Sequence, residues 1–274
     1  MPNIPRLTQP RKWRGLALAG AAVTLAAPAL AGLDAPITLG RAPDARLWLA
    51  QSQGGEGGEA GLVASAANPD AAYLAELMIV EGHMIAALDL YAKGQTDLAV
   101  ELASHPESEG MMARLRADQT AHAAPDITPA ATAFAKALGD AAPVDAARTA
   151  LATLHSSVVA AADGQKANLK TRLDAVVTLV KAASDEYTGA LADGKVSNVM
   201  AYHEAHAFIA IARSQLTDLQ AEPQTAKAAT RALDALSAAD DAFSDMTLTT
   251  VEPRDPAILA AIAARVELIA SSVR

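Results

Sequence analysis

Apolar residues recur every three or four positions from about residue 70 onward, the signature of helices that each bury one face. The periodic runs are cut by Gly94, Pro106, Pro125, Pro129, Pro143, Gly164, Gly194, Pro223 and Pro256. These cuts predict helices at 70–92, 95–104, 106–122, 128–139, 143–163, 165–193, 195–221, 223–245 and 255–273. No stretch alternates apolar and polar residues for long enough to propose a strand. Connections this short make successive helices antiparallel neighbours. The expected fold is all-α, an antiparallel bundle of about seven to nine helices spanning 70–274. Its two parts, 70–163 and 165–274, carry a faint internal repeat. Each opens on a long helix bearing a tyrosine (Tyr91, Tyr187) and ending at a glycine, and each following helix delivers His and Glu.

The N-terminus has a different pattern. A basic stretch ending in Arg11, Lys12, Trp13 and Arg14 precedes an apolar run at 16–27, and Ala29-Leu30-Ala31 offers a cleavage site before Gly32. Residues 1–31 therefore read as a secretory signal peptide. The apolar run is short for a membrane span, and no later segment reaches about 18 uninterrupted apolar residues. The expected product is a soluble protein exported to the periplasm, with secretion as a further fate. Residues 32–69 read as a flexible segment, with a Gly-rich linker at 53–61.

Composition narrows the chemistry. Hydrophobic residues make up 51% of the chain and aromatics 3%, with alanine about a quarter, which suits closely packed helices. There are no cysteines, which excludes disulfides, thiolate metal sites and a cysteine nucleophile. The formal net charge is −9, and removal of the signal, with four of the 22 basic residues, leaves 18 basic against 31 acidic. That balance argues against nucleic acid and against an anionic membrane surface as partners.

The informative positions are those where a polar residue interrupts an apolar stripe. In helix 70–92 the stripe of Leu74, Leu77, Met78, Met84, Ile85 and Leu88 contains Glu81, while His83 lies on the other side with Glu76, Ile79 and Leu90. In helix 195–221 Glu204 falls within the face of Met200, Ala201, Phe208, Ile211 and Leu219, and His203 and His206 share the other face. His203-Glu204-Ala205-His206 spaces its histidines by three rather than four, so the zinc-protease helix motif is absent. In helix 143–163 His155 belongs to the stripe of Leu151, Leu154 and Val158. His105 and Glu109 sit at a helix boundary beside Pro106. Helix 165–193, by contrast, keeps a clean stripe. His122, at a helix end, reads as a C-terminal cap residue, and the methionines read as packing residues.

A buried carboxylate is costly unless it is protonated, paired or bound to a cation. Carboxylates and imidazoles projecting inward from several helices are how bundles hold metals, and without thiolates the candidates are iron, copper, manganese or zinc. The expected ligands are Glu81, His105, Glu109, His155 and Glu204, with His83, His203 and His206 behind them. The expected function is to bind or hand over a transition metal, with the metal ion and a periplasmic or membrane protein as partners. The alternative is an interaction or scaffold module whose buried Glu and His only fix packing. No catalytic residues or organic cofactor are expected. The chain lacks the Gly-x-Ser-x-Gly elbow and the dinucleotide glycine fingerprint. The paired Glu-x-x-His helices of ferritin-like oxidases are also missing.

Overall fold

Three asparagines start the three longest helices. Asn68, Asn168 and Asn198 each accept a hydrogen bond from the backbone N–H three residues on, at 2.9, 3.0 and 3.2 Å. Such caps satisfy one of the amides that a helix start leaves without an internal partner. In the computed structural model, which describes residues 58–243, 246 and 253–273, the chain is helical almost throughout. The order is α1 (Gly58–Ala64), α2 (Pro69–Ala92), α3 (Thr96–Ser108), α4 (Met111–Ala121), α5 (Thr128–Gly139) and α6 (Val144–Asp163). It continues with α7 (Leu169–Ala190), α8 (Val199–Gln220), α9 (Ala226–Leu236), a 3₁₀ turn (Ser237–Asp241) and α10 (Ala257–Ser271). The all-α bundle expected from periodicity is what the chain forms.

The differences from the expected boundaries have local causes. The break expected at Pro106 falls instead at Gly110, because α3 carries Pro106 inside its last turn. Gly110 adopts the left-handed conformation (φ 71°) that side chains resist, and this turns the chain into α4. Between α7 and α8 two short antiparallel strands, β1 (Leu191–Ala192) and β2 (Lys195–Val196), make a tight hairpin through Asp193 and Gly194. No strand was expected there, since two residues are too few to show an alternation. Residues 58–64, expected to be flexible, are helical. The signal peptide expected at 1–31 and the greater part of the Gly-rich linker lie outside the described residues.

Packing proceeds in two closed rings of four helices. α2, α3, α5 and α6 pack in cyclic order, with α4 against α2 and α3. α7, α8, α9 and α10 form the second ring, and α2 packs on both α7 and α8 to join the two. The tyrosines seen in the sequence play matching parts. Tyr91 donates to the carbonyl of Ala142 at 2.6 Å, and Tyr187 to those of Ala242 and Arg254 at 3.4 and 3.1 Å. Each ties the end of a long helix to a distant turn.

Two helices at the junction, α2 and α7, are buried on nearly every side. A helix surrounded in this way has no solvent face, so its polar residues are forced to find partners inside.

Candidate metal centre

His83 on α2 is the hub of the site. Its Nδ1 lies 2.9 Å from the carbonyl of Ile79, one turn earlier. A carbonyl can only accept, so Nδ1 is the donor in that bond and Nε2 is the ring nitrogen turned toward the acids. That Nε2 lies 3.1 Å from Oε1 of Glu204 on α8 and 3.6 Å from Oε2 of Glu59 on α1. His105 on α3 points its Nδ1 to within 3.7 Å of the same Glu204 oxygen and 3.8 Å of Glu109 Oε1. The His83 ring packs against Phe208, with centroids 5.7 Å apart, and meets His105 edge-on at 6.1 Å.

Two sets of donors lie mutually within 4.8 Å: His83 with His105 and Glu204, and His83 with Glu59 and Glu109. Glu186 on α7, Asn198 and Met200 complete the lining of a cavity of about 10 Å³. That is room for about one water-sized sphere. Glu59, His83, His105, Glu186 and Glu204 are all buried, and Glu109 is half-buried.

The electrostatics of this cluster are those of too many acids in one place. Burial, reinforced by the carboxylates of Glu204 and Glu109, holds the Glu59 carboxyl well above the usual range. Burial and the neighbouring Glu204 and Glu59 push Glu186 up to about 9. The hydrogen bond to Glu204 raises His105 against the opposing effect of its burial. Both oxygens of Glu59 are buried without a hydrogen-bond partner. Nε2 of His83 and the carboxylate oxygens it faces are held together by a positive charge between them, either a proton or a metal ion. Four carboxylates and two imidazoles form a donor set of oxygen and nitrogen that fits iron, manganese or zinc. Five helices supply it, so the polypeptide surrounds the position from several directions.

The other residues singled out by sequence lie elsewhere. Glu81 is buried on α2, but its carboxyl meets Nδ1 of His155 at 2.5 Å, in a separate cleft of about 220 Å³ between α2 and α6. His155 was expected to face inward, yet its side chain is 59% exposed. It stands at the edge of the α6 stripe, where a long side chain swings outward. His203, the buried neighbour of Glu204 on α8, turns away from the cluster and has its Nδ1 2.7 Å from Asp89 on α2. His206 packs edge-on against Phe243, with centroids 5.2 Å apart. His122 forms the C-cap of α4.

The structure thus brings together His105, Glu109 and Glu204 and adds His83, which was expected behind them. It also adds Glu59 and Glu186, which the sequence reading missed. Glu186 lies off the clean stripe of its helix, and it is buried because α7 is covered on nearly every side, which periodicity does not reveal. Glu59 gave no signal, because it sits among glycines that carry no periodicity.

Comparison with known proteins adds one relation. No curated protein and no solved structure matches the chain. Residues 161–273 match a family model described as an iron permease-associated 4-helix bundle domain. The matched segment covers the end of α6 and all of α7 to α10, the second ring, and contributes Glu186 and Glu204 to the cluster. The periplasmic, soluble address expected from the N-terminus is corrected by this match, since the domain it resembles is associated with a permease. Among the described residues α2 is also long and apolar enough, by length and composition, to cross a membrane, with 83% of that window buried inside the fold. What the comparison gives is a similarity of residues 161–273 to a helical bundle described as associated with an iron permease.

Proposed function

We propose that the bundle binds a single iron ion at the junction of its two rings and serves a membrane permease as a metal-holding domain. His83, His105 and Glu204 would be the principal ligands, with Glu59 and Glu109 completing the shell and Glu186 balancing charge. The observation that carries this reading is the convergence of two donor triads on His83, whose Nε2, oriented by the Nδ1 bond to Ile79, lies 3.1 Å from a buried carboxylate oxygen. An ion there would supply the positive charge that the three buried acids and the half-buried Glu109 lack, and it would satisfy the two orphaned oxygens of Glu59. The cavity of about 10 Å³ suits one ion rather than an organic ligand. The similarity of residues 161–273 to an iron permease-associated domain favours iron over the other ions this donor set accepts.

The test is a titration of metal-stripped protein, made without a histidine tag, with iron(II) under anaerobic conditions. One equivalent should bind, and His83→Ala and Glu204→Gln should each abolish tight binding while circular dichroism shows the helices intact. A wild-type protein that takes up no iron, or a His83→Ala variant that binds as well as wild type, would refute the reading.

A further inference from the structure

Of the seven residues of α1, only Glu59 is buried. Helices ordinarily dock by burying apolar side chains, but here Leu62 and Val63 are only half-buried and Gly61 is exposed. A cavity of about 270 Å³ runs along one side of the segment, with Leu62 and Ser65 facing Val177 on α7 and Ala270 on α10. A cleft of about 430 Å³ lies along the other side, with Ala60 and Val63 facing Glu76 on α2 and Arg114 on α4. A side chain at Gly58 or Gly61 would meet nothing within 4 Å. The segment is therefore loosely packed on both flanks. Its one deep contact places a carboxyl among Glu109, Glu186 and Glu204, 3.6 Å from His83 Nε2, with neither oxygen hydrogen-bonded. An ionised carboxylate there is repelled by the other acids and is held firmly only with a cation among them.

We infer that α1 is an ion-dependent strap: it carries Glu59 onto the metal centre as a detachable ligand, docks when the ion is bound and releases when the ion leaves. The inference rests on the proposed iron site and adds how that site closes. His83, His105 and Glu204 come from long helices fixed in the two rings, so they form the permanent part of the site. Glu59 comes from a short helix whose other contacts with the core, among the described residues, are those of the half-buried Leu62 and Val63. Arrival of the ion becomes a movement of the N-terminal segment, which a neighbouring transport protein could sense.

Hydrogen exchange on the full chain tests this. The amide of Ser65 donates to the carbonyl of Gly61 at 3.0 Å and that of Ala66 to Val63 at 3.1 Å, so exchange at these positions reports whether α1 is folded in place. With iron(II) supplied anaerobically, exchange there should slow at least about tenfold, while amides in the middle of α8 change little. Glu59→Gln should still bind iron through His83, His105 and Glu204, yet lose the slowing. Wild-type protein that binds iron with no change at Ser65 and Ala66 overturns the strap and leaves the metal site standing. So does a Glu59→Gln variant that keeps the full slowing. A Glu59→Gln variant that binds no iron also overturns it, because Glu59 would then belong to the permanent site. Wild-type protein that takes up no iron refutes the metal site itself, and the strap falls with it.

Discussion

The ring of His83 is oriented by its own helix. The Ile79 carbonyl one turn back fixes Nδ1 as the donor, so Nε2 is the nitrogen aimed at Glu204. Because both donor triads share His83, removing it should weaken metal binding more than removing either Glu59 or Glu109. We expect His83→Ala to lower affinity by at least about 100-fold, read by competition with a chromophoric chelator. Glu81→Gln and His155→Ala should leave affinity unchanged, because that pair occupies a separate cleft.

The acids also make a prediction about pH. Glu186 titrates in the metal-free fold at about 9 against an ordinary 4.5, so the native state holds a proton that the unfolded state has lost. Stability is then fully present below about pH 4.5 and falls as pH rises through about 9. The melting temperature of stripped protein should decline across that window, and Glu186→Gln should flatten the decline. Metal-loaded protein should lack it, since binding replaces the proton.

At this scale the sequence was readable where one polar residue broke one apolar stripe. Glu204 inside the face of Phe208 and Ile211 is such a case, and so is His105 beside Pro106. Where a helix is buried all round, as α2 and α7 are, no stripe tells which sector of the core a side chain enters. Glu81 and His83 lie two residues apart on α2, yet only His83 reaches the cluster. Periodicity separates inside from outside, and that distinction has no meaning on a helix without an outside.

Among the elements, α2 crosses α8 at Gly82, directly before His83. A methyl group there would overlap the ring of Phe208. Gly82→Ala should therefore destabilise the fold by about 1–3 kcal/mol, measured by chemical denaturation, despite its better helix propensity. The same substitution would push α2 away from α8, so iron affinity should fall as well. The turn between α3 and α4 holds a second constraint. Gly110 sits in the left-handed region, and Gly110→Ala should cost about 1 kcal/mol while moving Glu109, its neighbour in the cluster. The helices themselves were legible because Gly and Pro punctuate them. The break at Gly110 rather than Pro106 was not, since a proline can be carried in a last turn whereas a left-handed glycine redirects the backbone.

Across the whole molecule, two four-helix rings meet along α2, α7 and α8, and the cluster lies where they meet. The segment similar to an iron permease-associated domain is the second ring, which supplies two of the six ionisable side chains of the cluster. The first ring and α1 supply the other four. A metal ion held there ties the two rings together, so binding should stabilise the protein as one unit. At an iron concentration about 100 times the dissociation constant the expected gain is about 2.7 kcal/mol, visible as a higher melting temperature. Which helices would meet at this junction was beyond the sequence, because periodicity gives each helix a face but no order among the helices.

The most direct test is to locate the ion. Crystals of iron-loaded protein measured at the iron absorption edge should show one anomalous peak among His83, His105 and Glu204, with Glu59 drawn toward it. A peak at the Glu81–His155 pair, or none within the bundle, would contradict the account.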